Sequence, residues 1–231
     1  MLFGRRVKEE SAVSPDVARY LKDSLKAVNL KADIETQEKI LAYVNLMIKW
    51  NRAYNLTSVR DPKQIIARHI MDSLSILPYI EGEQIIDIGS GAGLPGIPLA
   101  LMLPYSDFIL LDSNGKKTRF LTQVVRDLGI DNISVANERV EDFRPGYRFD
   151  VVMCRAFSSI RDMLLLGKHL CAKEGVFLAM KGIYPAAEMT NLPDGFKLVG
   201  VHELQVPGVE GERTLVRLTP VVKTEAAIMA H

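Results

Sequence analysis

The stretch Ile85-Ile86-Asp87-Ile88-Gly89-Ser90-Gly91-Ala92-Gly93-Leu94-Pro95-Gly96 decides how this 231-residue chain is read. A short apolar run carries an acid near its end, and a glycine-rich loop leads into a segment of helical spacing. Gly91, Gly93 and Gly96 spell G-x-G-x-x-G at a strand–loop–helix junction. In that context an otherwise weak pattern marks a nucleotide or nucleoside cofactor. Without a Cβ the loop turns tightly and lets a ligand approach the backbone. The plain alternative is a tight turn with no ligand.

Two acids bear on which ligand fits. Asp87 lies two residues before Gly89, at the carboxyl end of the strand. A dinucleotide would bring its pyrophosphate to this loop, and a neighbouring carboxylate repels it. S-adenosylmethionine carries no phosphate; its sulfonium and α-ammonium are attracted to an acid. Asp112 closes the run Phe108–Leu111, 19 residues beyond Gly93, where a carboxylate can accept both ribose hydroxyls of either cofactor. The segment Asn137–Phe143 would line the adenine end, with Val140 on the ring and Glu141 at its polar edge. Its alternative is an ordinary capped turn.

Outward from the loop, the apolar period changes near residue 80. Before it the spacing is helical. Ser14-Pro15-Asp16 reads as a hydroxyl cap, a first-turn proline and an acid, opening a helix that carries Val17, Leu21 and Leu25. A second helix is expected from about Thr36 to Tyr54, and a third from Pro62 until Pro78 closes it. After residue 80, seven short apolar runs alternate at first with helical segments: Gln84–Ile88, Phe108–Leu111, Ile133–Val135, Val151–Met153, Val176–Met180, Leu198–Leu204 and Leu215–Leu218. Runs of this kind suit strands buried on both faces of a mostly parallel sheet. The last two lack a helix between them and read as an antiparallel pair at one edge. The expected fold class is α/β: a doubly wound, mostly parallel seven-stranded sheet over residues 81–220, a helical extension over 1–80 and a flexible tail over 221–231.

Composition narrows the function classes. A net charge of +1, with 48% hydrophobic and 25% charged residues, excludes global disorder, collagen-like repeats and a histone-like polybasic binder. Runs of 18 or more apolar residues are absent, and Met1–Ser14 lacks the apolar stretch of a secretory signal, so it reads as a frayed arm. Cys154 and Cys171 sit among apolar neighbours and are expected to stay reduced, as in the cytoplasm. The histidines and cysteines show no metal-ligand spacing, so no metal is expected.

Several further pieces go together: Trp50-Asn51-Arg52-Ala53-Tyr54-Asn55-Leu56-Thr57-Ser58, Arg68-His69-Ile70-Met71-Asp72-Ser73-Leu74, Asp87 through Pro98, Leu111 through Lys117, Arg139-Val140-Glu141, Arg155-Ala156-Phe157 and Lys181-Gly182. With them the chain resembles, over about residues 35 to 220, the bacterial 16S rRNA guanine-N7 methyltransferases of the small ribosomal subunit. That family is also called glucose-inhibited division protein B, or ribosomal RNA small subunit methyltransferase G. The resemblance implies a class I, Rossmann-like methyltransferase sheet and S-adenosylmethionine as cofactor. It also implies methylation of N7 of one guanine, guanine-527, in 16S rRNA, with cofactor contacts from Gly89, Leu94, Asp112, Val140, Glu141 and Arg155. Asp87 and Gly91 join that set from the loop argument. Two departures matter little: a longer N-terminal arm, and Cys154 where a small polar residue is common.

Guanine N7 has an in-plane lone pair, so no base must remove a proton before attack, and catalysis is mainly positioning. Arginine suits the O6/N7 edge. Arg155, past the fourth strand, is the first catalytic candidate and Arg139 the second; the alternative for each is a surface or ion-paired arginine. The Asn/Asp-Pro-Pro-aromatic loop of exocyclic amine methylation is missing. Cys154 follows Met153, not the proline or threonine of a nucleophilic cysteine, and reads as a buried strand residue. RNA would meet two basic stretches. Residues 113–126 hold Lys116, Lys117, Arg119 and Arg126, and residues 49–72 hold Arg52, Arg60 and Arg68 with Trp50 and Tyr54. Lys181 could reach a phosphate. Trp50 and His69 read first as packing residues. The expected partner is 16S rRNA or the small subunit, with no membrane, for a cytoplasmic monomer. A nicotinamide-dependent oxidoreductase and a non-enzymatic RNA-binding or assembly module are the competing readings.

Overall fold

Helical segments precede the first strand in the computed structural model, which describes residues 13–155 and 157–221. The expected frayed arm and loose tail fall almost wholly outside the described residues. Helix α1 (Pro15–Ala27) begins at its proline; the Ser14 hydroxyl makes no capping bond, contrary to the expected cap. Helix α2 (Ile34–Tyr54) starts where the Asp33 carboxylate accepts from Thr36 N at 2.7 Å. It stops at Asn55, which adopts the left-handed conformation that suits a short amide side chain.

The third helix departs from the regular one expected. Helix α3 (Pro62–Ile65) widens into a π-helical segment (Ile66–Met71) before the short α4 (Asp72–Leu74). Apolar spacing alone does not reveal such a widening, because Ile66, Ile70, Met71 and Leu74 stay buried through it. π-Helical turns are rare and recur at functional sites.

Seven strands follow: β1 (Gln84–Ile88), β2 (Asp107–Leu111), β3 (Ile133–Ala136), β4 (Phe149–Cys154), β5 (Cys171–Lys181), β6 (Phe196–Glu203) and β7 (Thr214–Pro220). Their order across the sheet is β3-β2-β1-β4-β5-β7-β6. The first five are parallel to one another; β7 runs antiparallel to both β5 and β6, giving the expected antiparallel pair at one edge. Helices α5 (Gly96–Met102), α6 (Gly115–Leu128) and α7 (Ile160–Gly167) connect the parallel strands, and a short α8 (Ala186–Met189), absent from the sequence reading, follows β5. Strand β5 extends well before its apolar run because its exposed polar start, with Lys173 and Glu174, continues the ladder from Phe149↔Cys171.

Strand pleating sorts side chains onto two faces. Ile85, Leu110, Val151, Met153, Leu178 and Leu215 join one apolar cluster with the N-terminal helices, α5 and α6. Ile86, Ile88, Leu111, Val152, Cys154, Phe177 and Val216 join a second with α7. This alternation determines where each polar residue at a strand end projects.

Candidate active site

At the carboxyl ends of β1, β2 and β4 the chain encloses a cavity of about 440 Å³, within the range of small-molecule sites. One wall is the glycine loop. Gly89 N and Ser90 N donate to Leu111 O at 2.8 and 3.1 Å, and α2 pins the loop from behind through Tyr43, whose hydroxyl donates to Ala92 O at 2.6 Å. Burial raises the Tyr43 pKa far above its ordinary value, so it stays a neutral donor.

The four glycines divide into two jobs. Gly89 and Gly91 line the cavity with φ of +70° and +63°, and a Cβ on Gly89 would project into open space. Gly93 and Gly96 face protein. A Cβ on Gly93 would lie 2.4 Å from Ile97 Cδ1, and one on Gly96 2.2 Å from Leu110 Cδ2. The first pair lets a ligand approach, and the second lets α5 approach the sheet.

Asp112 also lines the cavity. Its Oδ2 accepts from Gly91 N at 2.8 Å and its Oδ1 from Asn114 N at 2.8 Å, while Lys117 Nζ stands 3.8 Å from Oδ2. The carboxylate is thus held rigid at the rim, with lone pairs left to accept hydroxyls.

Asp87 is placed otherwise than expected. It shares the parity of Ile85, so it turns beneath the loop toward α5. Its Oδ2 accepts from Gly96 N at 3.0 Å, it is fully buried, and it does not line the cavity. Burial pushes its pKa up to about 7, although the Gly96 amide and the Arg155 guanidinium pull it down. Its Oδ1 has no hydrogen-bond partner. The electrostatic case against a dinucleotide is correspondingly weaker than the sequence suggested, since this charge does not sit openly at the loop.

The opposite wall comes from the N-terminal helices and β4. Arg155, one residue past β4, has the parity of Met153 and so turns toward the π-helical segment. Its Nη1 lies 3.4 Å from Asp72 Oδ2, 3.4 Å from Arg68 O and 3.5 Å from His69 Nδ1. From the start of β7, Arg213, with the parity of Leu215, donates to the other Asp72 oxygen at 2.9 Å. Buried Asp72 therefore holds two arginines. His69 lines the cavity beside Arg155: Nδ1 donates to Arg68 O at 3.0 Å, which leaves Nε2 to accept from Thr57 Oγ1 at 2.7 Å. Burial and the Arg155 charge push its pKa down to about 4, so it is neutral near pH 7. Leu56, Thr57, Leu94, Phe157 and Ser158 also line the cavity, with Ser90 and Ala92 of the loop.

The structure brings together Gly89, Gly91, Leu94, Asp112, Lys117 and Arg155 of the sequence candidates. Arg139, Val140 and Glu141 follow the edge strand β3 and do not line the cavity; Val140 packs against the α7-side cluster and Arg139 is exposed. Lys181 has the parity of Phe177, so it faces away and pairs with Glu188 at 3.1 Å. Lys116 and Arg119 flank Lys117 on α6, exposed, with Arg119 Nε on Gly115 O, while Arg126 is engaged by Gln123 and Asp127. Trp50 stacks on Tyr54 and packs against Phe120 with ring centroids 5.0 and 5.5 Å apart, in keeping with a packing role. Both cysteines are buried, and burial pushes their pKa values up to about 12. Thr57, Asp72 and Arg213 were given no role from sequence. Thr57 lies in the segment Trp50–Ser58 and Asp72 in Arg68–Leu74, which was the available signal; Arg213 had none. A larger cleft of about 580 Å³ beside Asp107 and Asn132 opens at the amino ends of the strands, the end where open α/β sheets do not bind cofactors.

Over residues 36–216 the sequence matches the family described as rRNA small subunit methyltransferase G. The chain belongs to that family. It is 48% identical over 209 residues to the ribosomal RNA small subunit methyltransferase G of Pseudomonas aeruginosa, covering 90% of this chain and 98% of the relative. Solved structures of similar fold include a SAM-dependent methyltransferase from Aquifex aeolicus, with a TM-score of 0.55 and 16% identity over 68% of this chain and 93% of that one. Another is the glycopeptide N-methyltransferase MtfA complexed with S-adenosyl-L-methionine, with a TM-score of 0.55 and 11% identity over 66% of this chain and 94% of that one. The fold is therefore the class I methyltransferase sheet. Family membership makes S-adenosylmethionine the cofactor, and the site fits it: a Cβ on Gly89 would project into open space at the cavity wall, and the Asp112 carboxylate lines the cavity with lone pairs left to accept hydroxyls.

Proposed function

We propose that this chain methylates N7 of one guanine, guanine-527, in 16S rRNA of the small ribosomal subunit, acting as a cytoplasmic monomer. One observation carries the choice of N7: among the described residues, the acids and the histidine at the cavity are already engaged by hydrogen bonds within the chain. His69 is neutral but has both nitrogens engaged, Asp87 is sealed beneath the loop, and both Asp112 oxygens hold backbone amides. An exocyclic amine or a hydroxyl sheds a proton on methylation, whereas guanine N7 attacks with a lone pair it already has.

When bound, S-adenosylmethionine supplies a methyl group on a positively charged sulfur. The chain's own work is placement. Gly89 and Gly91 admit the cofactor to the backbone, Leu94 packs against it, and Asp112 accepts the ribose hydroxyls. Asp87, buried beneath the loop, accepts from the Gly96 amide and so holds the start of α5 in place under the cofactor. Arg155, braced by Asp72, donates to guanine O6 and so aims N7 into the cavity. Val140 and Glu141 serve the adenine end. Arg139 contributes from farther out, with Lys116, Lys117, Arg119, Arg52 and Arg68 as the basic rim that meets RNA phosphates. Lys181 is already neutralised by Glu188 and is the weakest member of that rim. In this division of labour residues 1–80 help to hold the RNA and residues 81–220 bind the cofactor.

The test is mass mapping of nucleosides after incubating the protein and S-adenosylmethionine with 16S rRNA or small subunits lacking the modification. The expected product is 7-methylguanosine at one position, sharply reduced but still measurable in Arg155→Ala. Methyl on an exocyclic nitrogen, or on no ribosomal RNA, would refute the proposal.

A further inference from the structure

Behind the loop that joins α2 to α3 lies a second cleft, of about 430 Å³, lined by Ile48, Asn51, Arg52, Asn55, Val59 and Arg60. We propose that this cleft is a phosphate-binding site for the RNA strand that carries the target nucleotide, with Arg52 and Arg60 as its clamp. The proposal rests on the RNA-substrate reading above and adds a site to it.

Charge is the first support. Arg155, Arg213, Arg217 and Arg126 each have a carboxylate within ion-pairing distance. Among the described residues Arg52 and Arg60 have none, a state they share with the exposed Arg68, Arg119 and Arg139, but these two line one cleft together. Asp61, the acid next to Arg60 in sequence, is occupied in capping α3, where it accepts from Gln64 N at 2.9 Å. The cleft thus presents two uncompensated guanidinium groups and no lining carboxylate, which selects an anion. Ile48, Val59 and the buried Ile65 form its apolar side, against which the two arginine stems can lie while their charged ends meet a phosphate.

Rigidity is the second. The Asn51 amide donates to Thr57 O and accepts from Thr57 N, both at 2.9 Å. Thr57 Oγ1 in turn bonds His69 and accepts from Val59 N at 3.1 Å. The loop is clamped before any ligand arrives, so little ordering cost falls on binding.

Position is the third. Leu56 and Thr57 of this loop line the cofactor cavity, while Asn55, Val59 and Arg60 of the same loop line the cleft. A strand that places its target base in the cavity crosses the loop and brings a neighbouring phosphate to the arginines. The clamp would then set the register of the target base.

The test compares wild type with Arg52→Gln/Arg60→Gln and with a control of equal charge loss at exposed sites, Lys173→Gln/Lys197→Gln. Binding of a 16S rRNA transcript is measured across a KCl series, S-adenosylmethionine affinity by calorimetry, and methyl transfer to whichever of transcript or small subunit the wild type modifies. The arginine variant should lower the log–log salt slope by about 1.4, from two single-strand phosphate contacts. It should also raise KM for RNA at least tenfold and hold cofactor affinity within twofold. An unchanged slope, an equal fall in the control, or a matching loss of cofactor affinity would overturn the clamp. A reduced slope with methyl found on an atom other than N7 would leave the clamp standing and refute the N7 assignment instead.

Discussion

Arg155 Nη1 stands 3.4 Å from Asp72 Oδ2, an ion pair that ties the end of β4 to the helix beside the π-helical segment. Arg213 holds the other oxygen at 2.9 Å, so a single buried carboxylate joins the helical segment to two strands. Replacing Asp72 with Asn keeps its shape and removes its charge, leaving two mostly buried arginines without a counter-ion. Stability should fall by about 3 kcal/mol in urea unfolding. Because the pair acts as a unit, Asp72→Asn should lower methyl transfer far less in an Arg155→Ala background than in wild type. Additive losses would show that Asp72 does not act through Arg155.

The two kinds of glycine should separate experimentally. Gly96→Ala would drive a Cβ into Leu110 and Asp87, costing about 1–3 kcal/mol through overpacking. Gly89→Ala meets no atom within 4 Å and should cost only about 1 kcal/mol, from its positive φ. Its methyl group would nonetheless occupy the cofactor cradle. Calorimetric affinity for S-adenosylmethionine should therefore drop more than tenfold in Gly89→Ala, with little change in melting temperature. Full affinity in that variant would place the cofactor elsewhere.

Asp87 should leave a mark on the pH dependence of stability. Its carboxyl titrates near 3.8 when unfolded and at about 7 when folded, because of burial. Between those values the folded chain keeps a proton that the unfolded chain has lost. Its contribution to stability therefore falls as pH rises from about 4 to about 7 and is level above that. His69 works in the opposite sense. Its pKa drops from 6.5 to about 4 on folding, so its contribution grows as pH rises through that interval. Asp87→Asn should remove the falling component: its stability relative to wild type should climb with pH by up to about 1.4 kcal/mol per unit. Urea unfolding of the cofactor-free proteins from pH 4.5 to 7.5 measures it, and a pH-independent difference would contradict the assignment.

Tyr43 reaches from α2 to the glycine loop, 49 positions away in sequence. Tyr43→Phe leaves Ala92 O without this donor and should cost about 1–2 kcal/mol. If the bond holds the loop in its binding shape, cofactor affinity should weaken severalfold while KM for RNA stays put. An unaltered affinity would reduce Tyr43 to a packing residue.

Much of this molecule was legible in the chain. The bounds of β1, the glycine loop, Asp112 at the end of β2 and the antiparallel edge pair follow from local composition and period, which need no knowledge of neighbours. Lys181 shows where such reading stops. It stands at a strand end in the expected half of the molecule, yet pleat parity sends it to the α7 face and into the hands of Glu188. Asp87 was identified as important but assigned to the open crevice, because its burial depends on α5 folding back over the strand.

The sequence alone determined the fold class and the family. Both rest on patterns repeated over many residues, each reporting its own backbone state. Only the tertiary structure decided which side chains meet. Asp72 and Arg213 are 141 positions apart and share no pattern; they touch because the N-terminal helices and β7 converge on one face of the sheet. Long-range contacts of this kind arise from how elements pack, and packing geometry leaves no period for a sequence reader to find.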